Sequence, residues 1–113
     1  MQIEIKGKKW SVERFESQKP VVSLAGQTLS LDKKIYVSNM PEYEEETFLT
    51  IIHELTHAYL FETGLRNLQE MEETFCYWLE ANFIEILANA ITIAKELFDI
   101  DFEIIKGKKE RKK

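Results

Sequence analysis

The sequence predicts a small α+β domain, an antiparallel sheet packed on two helices. Three observations predict it. Residues 1–40 alternate apolar and polar positions in short stretches, apolar residues from Phe48 to Leu97 recur at helical spacing, and Pro41 stands at the change of period. At 113 residues, the chain has room for one core and not for two.

Ile3 and Ile5 alternate with polar neighbours, Gly7-Lys8-Lys9 supplies a turn, and Trp10 and Val12 resume the alternation, which gives a hairpin. Leu29 and Leu31, a turn at Asp32-Lys33-Lys34, and Ile35-Tyr36-Val37 give a second strand pair. Between the pairs, Pro20 and Gly26 bracket Val21-Val22-Ser23-Leu24, to which the pattern assigns no state. Pro41 fits the first turn of a helix, where a missing N–H is no loss. Glu42 and Glu44 to Glu46 suit the positive end of the helix dipole. Phe48, Ile51, Ile52, Leu55 and Tyr59 then recur at helical spacing up to a stop at Gly64. A second helix is expected from near Gln69 to about Phe98, unbroken or broken once near Asn89. Its apolar face would hold Phe75, Leu79, Phe83, Ile86, Leu87, Ala90, Ile91, Ala94 and Leu97. Ile100, Phe102, Ile104 and Ile105 suggest a last short strand. Trp10, Phe75, Trp78 and Phe83 are expected in the core, with Cys76 as a small buried hydrophobe.

The net charge of −5 divides unevenly: residues 106–113 carry +5 and the remainder −10. The domain therefore spans 1–105, followed by a basic tail expected to be solvated and disordered. An acidic body argues against nucleic acid as a partner, leaving only a minor reading in which the tail makes such a contact. No apolar run approaches the roughly 18 residues a membrane span needs. The N-terminus has neither a signal-peptide nor a transit-peptide pattern, and the lone Cys76 fits a reducing compartment, so the expected location is the cytoplasm. A small domain without disulfides often gains stability from a bound metal.

Both histidines of the chain fall in one motif, His53-Glu54-Leu55-Thr56-His57. Residues four apart lie one turn apart on the same helix face, so two imidazoles can reach one ion. Glu54 lies about 100° further round, able to reach a water held on that ion. Zinc lowers the pKa of its water toward about 7, and the glutamate takes the proton as the water attacks a carbonyl. The helix bearing the motif has two stripes. Phe48, Ile51, Ile52, Leu55 and Tyr59 face a core, while Thr50, His53, His57 and Leu60 point nearly the other way, toward a cleft.

A catalytic zinc wants three protein ligands and one open position. There is no third histidine, and one cysteine cannot build a multi-thiolate site, so the third ligand should be a carboxylate. The second helix opens with Glu70, Glu72 and Glu73. Helical phase favours Glu73, which shares a side with Cys76, Tyr77 and Glu80. Glu72 falls with Phe75 and Leu79, expected in the core. A solvated acidic helix start is the bland alternative for all three.

The segment His53-Glu54-Leu55-Thr56-His57-Ala58-Tyr59-Leu60, the Gly64 stop and Glu72-Glu73-Thr74-Phe75-Cys76 resemble the ImmA/IrrE-type zincin-like metallopeptidases, in particular short bacteriophage and prophage versions. The likeness covers roughly residues 28–85. It implies a minimal zincin-like fold with zinc as cofactor, His53, His57 and Glu73 as ligands, and Glu54 as general base. It also implies a protein substrate such as a phage or mobile-element repressor. Larger zincins add a side chain that stabilises the oxyanion. Tyr36, Tyr43, Tyr77 and Arg66 are the candidates in this chain. The alternative to a peptidase is a zinc-stabilised, non-catalytic module that docks onto a regulatory protein.

Overall fold

The computed structural model describes residues 1–15, 26–38, 44–64 and 72–101, the side chains of Glu72, Glu73 and Cys76 excepted. The elements run β1 (Gln2–Ile5), β2 (Lys8–Phe15), β3 (Gly26–Leu29), β4 (Lys34–Ser38), α1 (Glu44–Thr63) and α2 (Glu72–Phe98). The α+β class holds, with one sheet and two helices.

Strand order is β1-β2-β4-β3. The two expected pairs are antiparallel, Ile3 opposite Trp10 and Thr28 opposite Ile35. They join through a parallel pairing of β2 with β4, Val12 opposite Ile35, so the sheet is mixed and not antiparallel throughout. Local pattern reveals hairpins, which close over a few residues. It does not reveal which strands of two hairpins meet. The first turn is centred on Lys6 and Gly7, one residue earlier than the sequence suggests, and both have positive φ (49° and 79°). That is what a two-residue hairpin matching the strand twist requires, and Gly7 meets it without steric cost. In the second pair, Leu31 leaves the strand for the turn, 90% exposed, and Lys33 closes that turn by donating its N–H to the Ser30 carbonyl.

Alternation along the strands puts Ile3, Ile5, Trp10, Val12, Ile35 and Val37 on one buried face. α1 lies across this face on Phe48, Ile51, Leu55, Ala58 and Tyr59, as its stripe predicts. It ends at Gly64, whose φ of 75° and bond to the Phe61 carbonyl make a left-handed cap. α2 is unbroken through Asn89 and packs beside α1: Trp78 Nε1 donates to Thr63 Oγ1 at 2.8 Å, and Asn89 Nδ2 to the Tyr59 hydroxyl at 2.9 Å. It ends at Asp99, in left-handed conformation, with the Asp99 N–H on the Lys95 carbonyl and Ile100 buried just beyond.

Seven of the nine residues expected on the apolar face of α2 are buried or packed partly buried against the core, and Leu79 and Phe83 are the exceptions. Trp78, Asn82, Ile86, Ala90, Ile93 and Ala94 are buried, whereas Leu79 and Phe83 are 39% and 48% exposed. Trp10 and Trp78 are core as expected, Phe75 is half-buried against Trp78, and Phe83 is not core. The start of α2 meets α1 through Trp78, which draws the contact line one residue away from the Leu79–Phe83 stripe. Residues 21–24, 41–42, 69–70 and 102–113, on which the unassigned segment, the helix starts, the last strand and the tail were read, lie outside the described residues. Among the described residues no helix is long and apolar enough to cross a membrane.

Candidate metal centre

The core stripe of α1 fixes the helix on the sheet and thereby turns His53 and His57 outward, both exposed. Their Nε2 atoms converge to 3.2 Å, with the ring planes 78° apart. Two zinc–nitrogen bonds of ordinary length at the tetrahedral angle would hold two nitrogens about 3.3 Å apart. The pair is thus spaced as a two-toothed ligand. The same distance suits an Nε2–H···Nε2 hydrogen bond, so the rings are satisfied without an ion as well.

Glu54 is 6% exposed, in the angle between α1 and β3. The Thr28 hydroxyl donates to its Oε1 at 2.7 Å and lies 3.1 Å from its backbone carbonyl. One side chain of β3 thereby fixes both the rotamer of Glu54 and the distance between strand and helix. Gly26 makes that distance possible: a Cβ there would stand 2.9 Å from Glu54 Cγ, 2.9 Å from Thr50 Cγ2 and 3.1 Å from Glu54 Oε2. Together Gly26, Thr28 and Ser30 of the strand side and His53, Glu54, His57, Leu60 and Phe61 of the helix line an open cavity of about 500 Å³. A second cavity of about 350 Å³, lined by Leu49, Ile52, Thr56 and Leu60, shares the two histidines from the other side.

Next to Phe61, which lines the cavity, α1 is braced to the sheet. Glu62, with its side chain 8% exposed, accepts from Trp10 Nε1 at 2.8 Å and from Lys33 Nζ at 2.9 Å. Burial pushes the Glu62 carboxyl up, but the bonds from Lys33 and Trp10 and the charges of Lys33 and Lys8 outweigh it, so its pKa lies below the usual value. Lys33 in turn lies over the rings of Trp10 and Phe61, at 5.5 and 5.3 Å from their centroids.

The structure thus brings His53, His57 and Glu54 to one cavity. Glu73 and Glu72 are placed only by their backbone, in the first turn of α2, and Glu70 lies outside the described residues. The phase argument between the first two loses its footing, because Leu79, expected to mark a buried side, is 39% exposed and Tyr77, on the other, is 65% exposed. Among the described residues no group of three or more metal-ligating side chains occurs. Of the oxyanion candidates, Tyr36 and Tyr77 do not line the cavity, and Tyr43 and Arg66 are outside the described residues. Sequence reasoning missed Gly26, Thr28 and Ser30. A glycine inside a strand is the one available signal, since it marks close approach of another element. Comparison with models of protein families, with curated proteins and with solved structures found no match.

Proposed function

We propose that the chain is a zinc-dependent metallopeptidase acting on a protein substrate. The observation that carries this reading is the 3.2 Å convergence of two Nε2 atoms beside a buried carboxylate at the wall of an open cavity. An ordinary surface helix has no reason to bury a glutamate next to two exposed histidines. The donor set fits zinc: two imidazoles from α1, with a carboxylate from the first turn of α2 as third ligand, Glu73 or else Glu72. Bound there, zinc would supply Lewis acidity and an activated water. The rest is done by the chain. Glu54, held by Thr28, receives the proton released as the water attacks and passes it to the leaving amine. β3, one of the two edge strands of the described sheet and the one beside the cavity, would offer its edge to an extended peptide laid along that cavity.

The resemblance to ImmA/IrrE-type peptidases supports a regulatory protein, such as a repressor, as the substrate, met in the cytoplasm. Elemental analysis of untagged protein should find near one zinc per chain, falling in Glu73→Ala. Glu54→Gln should keep the zinc and lose cleavage of any substrate the parent cuts. No zinc in the parent, even after zinc is supplied, would sink the proposal. A bound partner recovered intact from the parent would replace the peptidase with a docking module.

A further inference from the structure

α2 is buried on one side and carries a second apolar stripe on the other. Tyr77, Ala81, Ile84, Ala88 and Ile91 follow one another at intervals of four, three, four and three residues, the spacing of a two-helix seam. Tyr77 is 65% and Ile84 71% exposed, Ala81 and Ala88 are exposed, and Ile91, packed partly buried against the core, keeps only part of its side chain in solvent. The outward face of a helix packed on a domain ordinarily carries charges, and a contiguous apolar stripe there marks an interface.

We propose that this seam pairs antiparallel with the α2 seam of a second copy, forming a two-fold dimer. Small and large residues alternate along it, and an antiparallel partner turns that alternation into complementarity. With the axis between Ile84 and Ala88, Ile84 packs on Ala88 of the second copy and Ile91 on Ala81 of the second copy. A parallel pair would instead set alanine on alanine, leaving gaps, and Lys95 on Lys95. Antiparallel, Lys95 reaches Tyr77 and Glu80 of the second copy, an ammonium beside a ring face and an exposed carboxylate. Lys95 is 66% exposed, and its own contact with Asp99 is long, 3.9 Å. Glu85, the acid flanking the middle of the seam, is already paired with Lys6 at 2.8 Å, so two copies of it meet at reduced cost. The contact is isologous and closes at two chains, and the helix dipoles oppose. This pairing does not depend on the metal site.

Sedimentation velocity on the full chain from about 1 to 100 μM should show a monomer–dimer equilibrium. Ile84→Arg should weaken it about tenfold or more while leaving the melting temperature of the monomer unchanged, since the side chain already stands in solvent. Lys95→Glu should weaken it, and Glu80→Lys combined with Lys95→Glu should restore it. A monomer at every concentration, or a dimer indifferent to Ile84→Arg, would overturn the proposal. A dimer unaffected by Lys95→Glu would overturn the antiparallel register. A chain that dimerises only after residues 106–113 are removed would show that its own tail is the occupant, which overturns it too.

Discussion

Gly26→Ala adds one methyl group where β3 passes α1, and the structure sets the sign of the result. The new Cβ would stand 2.9 Å from Glu54 Cγ, 2.9 Å from Thr50 Cγ2 and 3.1 Å from Glu54 Oε2. Side chains at ordinary van der Waals contact stand nearer 3.5–4.0 Å. Replacing glycine by alanine without a clash would stabilise by about 0.4–1 kcal/mol through the unfolded chain. Overpacking of this kind costs about 1–3 kcal/mol, so the clash wins and the net loss should be about 1–2 kcal/mol. Urea denaturation followed by circular dichroism reads this as a fall of about 0.5–1 M in midpoint with an unchanged slope. Thr50→Ser removes one of the three contacting atoms yet keeps the hydroxyl that donates to the Glu46 carbonyl, so it should recover part of the loss in the Gly26→Ala background. The strain falls on Glu54 and Thr50, so under the proposed peptidase function Gly26→Ala should lower cleavage far more than zinc content. A variant as stable as the parent would refute the close approach of β3 to the motif helix, and with it the account of how Glu54 is held.

Thr28→Val keeps the shape of the side chain and removes the donor to Glu54 Oε1, which should cost about 1–3 kcal/mol in the same urea assay. Glu62→Gln probes the brace. Its folded pKa is depressed, so the carboxylate's contribution is complete above the unfolded value of about 4.5 and is lost as pH falls through the lower folded value. The stability gap between parent and variant should hold at neutral pH and shrink below pH 4.5; a gap that widens on acidification would reverse the assignment. Asn82 is 3% exposed and its Nδ2 donates to the Trp78 carbonyl at 2.7 Å, so Asn82→Ala, which removes that buried bond, should destabilise by about 1 kcal/mol, read as a fall in melting temperature.

Much of the fold was legible because its elements are locally encoded. Ile3, Ile5, Trp10 and Val12 alternate without interruption, and the α1 stripe from Phe48 to Tyr59 is buried as the spacing says. What was not legible depends on contacts between distant residues. Nothing in the neighbourhood of Val12 says that it will lie parallel to Ile35. The error in α2 has a different origin. Two apolar stripes share that helix, one through Trp78, Ile86 and Ile93 and one through Tyr77 and Ile84, with Ile91 packed against the core at the border and Leu79 and Phe83 between the buried side and solvent. A single-face reading finds the buried side through Ile86, Ala90 and Ala94 and fails at Leu79 and Phe83, which lie at its margin.

The site divides the same way. His53, Glu54 and His57 are close in sequence, and helix geometry alone brings them to one place. Gly26 and Thr28 are contributed by the sheet edge, and their part emerges only once strand and helix are seen to touch. Their presence bears on what Glu54 is for. If the carboxylate served only to tie β3 to α1, a neutral amide would accept the Thr28 hydrogen bond without the cost of desolvating a charge. The chain instead keeps a glutamate, buries it to 6%, gives one oxygen a donor and leaves the group at the wall of a cavity beside two converging histidines. A carboxylate fixed in rotamer at the cavity wall is what the proposed general base requires. The comparison of Glu54→Gln with Glu54 is therefore the sharpest division between the two roles: a tether survives the change, and a base does not.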